Sequence, residues 1–219
     1  MDRKFIVILV IVILAIAGLF IFTNKNNNTT SNASTTTASV SNHTEGDLSS
    51  KVHLVEYGDF QCPACGAFYP IVTQVLSQYL SQIQYSFMEF PLESLHPNAL
   101  AAARAAEAAG LQGKFFPMYE LLYENQNSWV NLNDPSTYFD QLATSIGLNL
   151  NKFKTDSASE AVNNTIEADI QAGTKLNIQG TPTFFLNGKM LNNQNIDTVS
   201  SFSSVIKQAI QATTTTKTS

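Results

Sequence analysis

The sequence has few charged residues and few cysteines, and each shortage excludes some classes of function. Asp, Glu, Lys and Arg make up 13% of the 219 residues, and the net charge is −5. A typical soluble domain carries about 25% charged residues. Without a basic excess the chain has no strong attraction for phosphate groups, so we expect no nucleic-acid partner. The hydrophobic fraction of 44% suffices for a soluble core, and the length allows one domain or two.

The two cysteines of the chain, Cys62 and Cys65, stand three residues apart where an apolar run meets a pattern of helical period. A thiol at a helix N-terminus faces unpaired backbone N–H groups and the positive end of the helix dipole, and both favour the thiolate. Pro63 suits the first helical position because its φ is fixed near the helical value and it lacks an N–H group. We therefore expect Cys62 to have a lowered pKa and to be the nucleophile. Cys65 should lie on the same helix face, close enough to form and release a disulfide with Cys62.

Two other interpretations of the cysteine pair stay open on spacing alone. The pair could be a structural disulfide, although a loop this short constrains the unfolded chain little. It could also be half of a zinc site, which would need two more ligands. The three histidines, His43, His53 and His96, supply no second closely spaced pair. The spacing therefore favours redox chemistry, and we expect neither a bound metal nor a cofactor.

The N-terminal region, residues 1–22, is predicted to be a short cytoplasmic stub and a membrane anchor. Residues 5–22 are an uncharged apolar run of eighteen residues, near the lower limit for a transmembrane helix and longer than the apolar region of most signal peptides. Arg3 and Lys4 before the run, against Lys25 after it, place the N-terminus in the cytoplasm and the remainder outside. A cleaved signal peptide is the alternative. An extracytoplasmic location also permits stable disulfides.

The rest of the chain divides into three parts by composition. Residues 23–50 are rich in Asn, Ser and Thr, which is typical of a disordered linker. Residues 51–212 carry the periodic apolar patterns of one mixed α/β domain, and residues 213–219 are a predicted disordered tail. Within the domain the patterns predict, in order, a strand over 52–57, a helix over 63–80, a strand over 83–87, a helical insertion over about 96–176, a hairpin over 183–191 with Asn187-Gly188 as its type I′ turn, and a helix from Asp197.

This order of elements, with Cys62-Pro63-Ala64-Cys65 and Gly180-Thr181-Pro182-Thr183, resembles the thioredoxin fold. The helical insertion resembles that of the DsbA-like disulfide oxidoreductases within that fold. Gly58-Asp59-Phe60-Gln61-Cys62-Pro63, together with His96-Pro97-Asn98-Ala99 and Gly113-Lys114-Phe115-Phe116, is similar to the membrane-anchored DsbA-like proteins of bacteria without a classical periplasm. The resemblance, over roughly residues 50–212, implies an α/β thioredoxin fold with an inserted helical domain, preceded by one N-terminal transmembrane helix.

The resemblance also implies roles for residues outside the cysteine pair. It implies a cis peptide bond between Thr181 and Pro182, in a loop beside the first cysteine that leaves the Thr181 backbone free to bind an extended substrate. It implies that Glu56 is a buried carboxyl group beneath the second cysteine and passes a proton to or from that thiol. One position departs from the pattern: strong oxidants of the family carry His where this chain has Ala64. The oxidising strength therefore stays open.

The activity that the resemblance implies is thiol–disulfide exchange outside the cytoplasm, which forms disulfides in exported proteins through Cys62-Pro63-Ala64-Cys65. The implied partners are reduced secreted proteins and a membrane protein resembling DsbB or VKOR that reoxidises the cysteine pair. We expect a single-pass membrane protein that is a monomer. A reductase or isomerase with the same site stays an alternative, and so does a peptide-binding module without catalytic activity.

Overall fold

The structure is a computed structural model, and it describes residues 39–215. The predicted anchor over residues 5–22 and the first part of the predicted linker lie outside these residues. Among residues 39–215, no helix is both long enough and apolar enough to cross a bilayer.

A mixed sheet is the frame of the described part of the chain. Its five strands are β1 (Thr44–Gly46), β2 (His53–Gly58), β3 (Gln84–Glu89), β4 (Thr183–Leu186) and β5 (Lys189–Met190). The spatial order is β1-β3-β2-β4-β5. At the centre β2 pairs in parallel with β3, which requires a crossover connection, and antiparallel with β4. The predicted turn between β4 and β5 is confirmed, because Asn187 and Gly188 have the positive φ values of 51° and 78° that a type I′ turn needs.

Helices make the crossover and cover the sheet. The crossover is α1 (Pro63–Tyr79), as predicted from its apolar period. The predicted helical insertion over about 96–176 is also confirmed. It consists of α2 (Ala99–Gly110), α3 (Phe115–Glu124), α4 (Gln126–Trp129), α5 (Ser136–Ser145), α6 (Leu150–Ser157) and α7 (Glu160–Lys175), and α8 (Val199–Thr215) follows β5.

The alternation of side chains along β2 determines which group lies beneath α1. Leu54 faces one side of the sheet, where it packs in one cluster with Val72 of α1 and Phe202 of α8. Tyr57 faces the other side and packs in a separate cluster. Because side chains alternate along a strand, Glu56 lies on the same side as Leu54. A carboxyl group is therefore placed in the apolar layer between the sheet and the helix that carries both cysteines.

The prediction of a disordered linker up to residue 50 is wrong over residues 39–50. β1 lies in this segment and pairs antiparallel with β3. The N–H and Oγ of Ser41 donate to the Asp169 carboxylate at 2.7 and 2.6 Å. His43 Nε2 lies 2.9 Å from Glu107, and its ring stacks on another aromatic ring. These partners lie far along the chain, so the composition of the segment itself gives no sign of them.

The C-terminal boundary also differs from the prediction. α8 continues through Thr215, so the predicted domain end at residue 212 is too early. Residues 213–215 belong to the helix, although threonine has a low helix propensity, because they extend a helix already fixed by its buried face. Residues 216–219 lie outside the described part of the chain.

Candidate active site

The first cysteine lies where β2 passes into α1. Cys62 is the N-cap residue of α1 in an extended conformation, with φ −64° and ψ 122°, and Pro63 follows at the start of the helix as predicted. Asp59 shapes this loop, because its carbonyl oxygen accepts the Cys62 N–H at 3.1 Å and its Oδ1 accepts the Gln61 N–H at 2.8 Å. The loop therefore presents the Cys62 thiol at the N-terminus of the helix.

The Cys62 thiol ionises readily. A hydrogen bond from the Cys65 thiol outweighs the opposing effect of burial and, with further hydrogen bonds from Thr181 and from the backbone of Cys65 and Ala64, lowers the pKa of Cys62 to about 5. At neutral pH Cys62 is therefore a thiolate, which is the form that reacts in disulfide exchange.

The Cys65 thiol has the opposite character. It is fully enclosed, whereas Cys62 keeps 6% of its surface exposed. Burial raises the pKa of Cys65 well above its ordinary value, and the hydrogen bond to Cys62 and the charges of Cys62 and Glu56 raise it further. Both cysteines are free thiols in this structure. The pair thus combines a thiolate that keeps a small exposed surface with a fully buried thiol.

The loop before β4 lies against the first cysteine. The Thr181–Pro182 peptide bond is cis, as the family resemblance implies. In its protonated form, Cys62 Sγ donates to the Thr181 carbonyl oxygen at 3.4 Å, and Asn193 Nδ2 anchors the loop by donating to the Pro182 carbonyl oxygen at 2.7 Å. The buried Thr181 hydroxyl has no hydrogen-bond geometry to any residue in the described range. Its contribution to the lowered pKa of Cys62 therefore belongs to the ionised form, in which the thiolate can accept from this hydroxyl.

Glu56 lies beneath the cysteine-bearing helix, as the resemblance implies. Its side chain is buried, and the Tyr85 hydroxyl donates to its Oε2 at 2.6 Å. Burial raises the pKa of Glu56 to about 7, although the hydrogen bond from Tyr85 opposes this effect. The Glu56 charge in turn raises the pKa of Cys65, so the two groups interact electrostatically. A carboxyl group that titrates near pH 7 can take up or release the proton of a neighbouring thiol.

The helical insertion holds the active-site loop in place. Gln126 of α4 donates from Nε2 to the carbonyl oxygens of Phe60 and Cys62, at 2.8 and 3.0 Å. In the other direction, Gln61 Nε2 of the loop donates to the Val130 carbonyl oxygen at 2.8 Å. The Cys62 carbonyl oxygen also accepts the Gly66 N–H within α1, so the bonds from Gln126 tie the loop and the start of this helix to the insertion and hold the Cys62 backbone in position.

The comparison with protein families agrees with this geometry. The family model described as thioredoxin matches residues 38–207. The chain belongs to the thioredoxin family. The matched range contains β1, both cysteines, the cis-proline loop and the helical insertion, so the thioredoxin-family domain includes the N-terminal segment that sequence composition had assigned to the linker.

Solved structures of other proteins share this fold. BdbD from Bacillus subtilis, in its oxidised form, is 23% identical, with a TM-score of 0.68 over 77% of this chain and 92% of that one. Wolbachia pipientis alpha-DsbA1 is 21% identical, with a TM-score of 0.66 over 77% and 90%. MdbA, a thiol-disulfide oxidoreductase from Actinomyces oris, is 18% identical, with a TM-score of 0.61 over 75% and 86%. At these identities the similarity establishes the fold.

Curated relatives match over a shorter part of their own length. The Na(+)/H(+) antiporter NhaA 1 of Mycobacterium sp. (strain KMS) is 37% identical over 150 residues, which is 68% of this chain and 24% of the antiporter. The NhaA 1 antiporter of Salinispora arenicola is 37% identical over 148 residues, which is 68% of this chain and 22% of that protein. This thioredoxin-family chain therefore spans about a quarter of the length of the curated relatives it matches.

The three histidines lie at separate places in the thioredoxin-family domain. His96 Nδ1 lies 2.6 Å from Asp59 Oδ2, at the start of the helical insertion. His53 Nε2 lies 2.8 Å from Ser86 Oγ, and His43 pairs with its glutamate near β1. Over residues 39–215 there is no group of three or more His, Cys, Asp or Glu side chains able to hold a metal ion. His96 thus supports the loop that carries Cys62, through Asp59.

Sequence analysis missed two residues that meet the functional groups, Tyr85 and Gln126. The alternation of Ile83, Tyr85 and Phe87 along β3 indicates that Tyr85 faces inward, but it does not show that Tyr85 meets Glu56 from the neighbouring strand. Gln126 follows α3 without any local pattern that would link it to the loop.

Proposed function

We propose that the protein is a thiol–disulfide oxidoreductase that forms disulfides in exported proteins through Cys62 and Cys65. The observation that carries this proposal is the placement of the two thiols, with Cys62 at the N-terminus of α1 against the Thr181 carbonyl oxygen and Cys65 buried behind it, and the pKa is accordingly lowered for Cys62 and raised for Cys65. A static disulfide needs no such difference, whereas exchange needs an accessible thiolate and a second thiol that can resolve it. The thiol-disulfide oxidoreductase named among the structural neighbours supports the same activity.

In the proposed reaction, a substrate thiolate attacks the Cys62 sulfur of the oxidised pair. The Cys62–Cys65 bond breaks, its electron pair goes to the Cys65 sulfur, and that sulfur takes up a proton because its burial disfavours the charge. A second substrate thiolate then attacks the substrate sulfur bound to Cys62. The substrate leaves with a new disulfide, and Cys62 leaves as a stable thiolate, which favours this direction.

Thr181 and Pro182 are the proposed substrate-binding residues. The Thr181 carbonyl oxygen is already in contact with the Cys62 sulfur. A backbone group so close to the nucleophile can pair with the main chain of an extended substrate, as in strand addition at a sheet edge. Such pairing recognises the peptide backbone, so it suits an enzyme that acts on many unrelated proteins.

The location and partners are further parts of the proposal. The apolar run over residues 5–22 supports a single-pass membrane anchor with an extracytoplasmic domain, and a membrane protein resembling DsbB or VKOR would reoxidise the cysteines. Full-length protein should stay in the membrane fraction at high salt. Recovery of a soluble form with a new N-terminus near Gly18 would contradict the anchor.

A reductase or isomerase would use the same residues, and the position of Ala64 bears on this alternative. Strong oxidants that resemble this chain have His there, yet the pKa of Cys62 is lowered to about 5 without it. Because stabilisation of the reduced thiolate makes the disulfide form more oxidising, the low pKa favours disulfide formation.

Trapping of substrates tests the assignment of the two cysteines. Cys62→Ser should abolish the oxidation of a reduced, unfolded secreted protein, because the nucleophile is absent. Cys65→Ser should instead accumulate mixed disulfides between Cys62 and the substrate, detectable on non-reducing gels. Equal trapping by both variants, or oxidation that persists in Cys62→Ser, would refute the proposed function.

A further inference from the structure

Glu56 belongs to a hydrogen-bonded group that crosses from the sheet to the helical insertion. The Tyr85 hydroxyl on β3 donates to Glu56 Oε2 at 2.6 Å, and the Tyr119 hydroxyl on α3 lies 3.2 Å from the Tyr85 hydroxyl. All three side chains are buried, with at most 3% of their surface exposed. Within residues 39–215, Tyr85 supplies the hydrogen bond that the Glu56 carboxyl group accepts.

The two tyrosines stay neutral in this environment. Burial, followed by the charge of Glu56, raises the pKa of Tyr85 and of Tyr119 well above the ordinary value. Each hydroxyl therefore keeps its single proton at any physiological pH. Since the Tyr85 proton is used on Glu56, the Tyr85 oxygen is free to accept the proton of Tyr119. The bonds then run in one direction, from Tyr119 to Tyr85 to the carboxylate, and reinforce one another.

Among the described residues, no positively charged group near Glu56 could replace this hydrogen bond. Cys65 faces it from α1, Tyr85 from β3, and Tyr119 and Tyr123 from α3. On the remaining side β4 contributes Phe184, which pairs with Glu56 across the sheet. The causes that shift the pKa of Glu56 are burial and the Tyr85 hydrogen bond, without any positive charge. The ionised form of Glu56 thus depends on Tyr85.

We propose that Tyr85, supported by Tyr119, is a positioning residue that holds Glu56 as a carboxylate and so makes it the proton acceptor for the Cys65 thiol when the disulfide re-forms. This inference rests on the proposed function and adds to it a part for two residues that do not touch the substrate. Tyr85 acts through Glu56, and it is neither an acid nor a base in the reaction.

The step affected is the closing of the disulfide after Cys62 has reacted with an oxidising disulfide. Glu56 takes the proton from the Cys65 thiol, and the resulting Cys65 thiolate attacks the Cys62 sulfur of the mixed disulfide. The Cys62–Cys65 bond forms, the bond from Cys62 to the oxidant breaks, and the oxidant leaves with the electron pair as a thiolate. This step needs Glu56 in its ionised form. The rate of disulfide closure should therefore increase with pH as Glu56 loses its proton.

The test compares the pH dependence of this step in matched variants. Reduced protein is mixed with glutathione disulfide, and the loss of the Cys62–glutathione adduct is followed by acid quench and mass spectrometry. Tyr85→Phe keeps the buried ring but removes the hydrogen bond, so the midpoint of the pH profile should move up by about one to two pH units. Tyr119→Phe should move it in the same direction by less, because it weakens the bond from Tyr85 only indirectly.

Tyr123→Phe is the matched control. Tyr123 is a buried tyrosine of the same helix as Tyr119, and its hydroxyl has no hydrogen-bond partner among the described residues. Its removal should leave the midpoint unchanged. In a Glu56→Gln background, Tyr85→Phe should also cause no further shift. If Tyr85→Phe did not fold, as judged by thermal unfolding, Tyr119→Phe would carry the same test.

A second readout separates this inference from the proposed function. The Glu56 carboxyl carbon can be titrated by ¹³C NMR in the oxidised protein, where neither cysteine titrates, and Tyr85→Phe should raise its pKa. The positioning role would be refuted if Tyr85→Phe shifted neither the NMR titration nor the rate profile, or shifted the NMR titration alone. Exchange through Cys62 would stand in both cases. If wild-type protein formed no Cys62–glutathione adduct, the proposed function itself would fail.

Discussion

At the scale of single residues, burial separates the roles of the groups at the site. Cys62 keeps some contact with the surface and titrates near pH 5, whereas Cys65 and Glu56 are enclosed. An enclosed carboxyl group without a positive partner disfavours its own ionisation. The raised pKa of Glu56, about 7, therefore implies a cost to stability that can be measured as a function of pH.

We expect Glu56→Gln to stabilise the protein at neutral pH. The pKa of Glu56 is about 7 in the folded protein against 4.5 for the free group, so folding favours the protonated carboxyl group. The stabilising contribution of this proton is fully present below pH 4.5 and is lost as the pH rises to about 7. Glutamine does not titrate and can still accept the hydrogen bond from Tyr85. The free energy of unfolding of the variant should therefore exceed that of wild type by an amount that grows between these pH values and reaches about 3 kcal/mol above them.

Urea unfolding between pH 4 and 8 measures this difference, with Glu93→Gln at an exposed carboxyl group as the control. The same Glu56→Gln variant should exchange disulfides more slowly, because the proton partner of Cys65 is absent. If the free energies of unfolding of wild type and Glu56→Gln differ by the same amount at every pH, the pKa of Glu56 is not raised in the folded protein.

The sequence predicts the reactive residues better than it predicts the residues that hold them in position. Cys62 and Cys65 follow from their spacing, whereas the role of Glu56 is what the resemblance to the DsbA-like proteins implies. Tyr85 and Gln126 could not be assigned, because a hydrogen bond between residues 29 or 64 positions apart leaves no local pattern. The chemistry of this site is thus encoded locally, whereas its positioning depends on the tertiary fold.

At the scale of elements, the end of β2 is packed against β3 and α3 without spare space. A Cβ added at Gly58 would overlap the Phe87 ring, at 2.5 Å from Cζ, and would lie 3.1 Å from the Tyr123 hydroxyl. We expect Gly58→Ala to lower the free energy of unfolding by about 1–3 kcal/mol, because the ring or the strand must move.

Gly180→Ala is the matched control for this prediction. A Cβ at Gly180 would meet no heavy atom within 4 Å, although the residue is close to the cis-proline loop. Its stability should be unchanged or slightly raised, because alanine restricts the unfolded chain. Urea denaturation compares the two variants directly, and equal midpoints would contradict the close packing of Gly58.

The elements that the sequence predicts well are those with a long apolar period. The prediction identifies α1 and the insertion as a whole because buried residues recur along them. It misses β1, which has three residues and depends on pairing with β3, and it misses α6 as a separate helix. α6 buries Phe153 alone and begins at Asn149, whose Oδ1 caps it by accepting from the Lys152 N–H at 3.0 Å. Short or polar elements of this kind are fixed by their neighbours.

At the scale of the whole molecule, the N-terminal segment is part of the domain. Ser41 supplies two hydrogen bonds to the buried Asp169 carboxylate, and His43 covers Glu107. A protein truncated before Leu48 should be less stable than one that begins at Ser39 by at least about 3 kcal/mol, because Asp169 loses both donors of Ser41 and keeps only the Glu89 N–H among the hydrogen bonds described, and Glu107 loses His43. Equal stability of the two truncated forms would mean that the segment contributes nothing.

The redox state of the cysteine pair in cells tests the central claim most directly. Full-length protein, made in its own host, is quenched with acid, and free thiols are alkylated with a maleimide that adds a resolvable mass. An enzyme that forms disulfides must itself be kept oxidised, so Cys62 and Cys65 should be found mainly as a disulfide that becomes reactive only after reduction. If both thiols are alkylated directly in most of the molecules, the protein works as a reductase or isomerase, and the proposed direction of exchange is wrong.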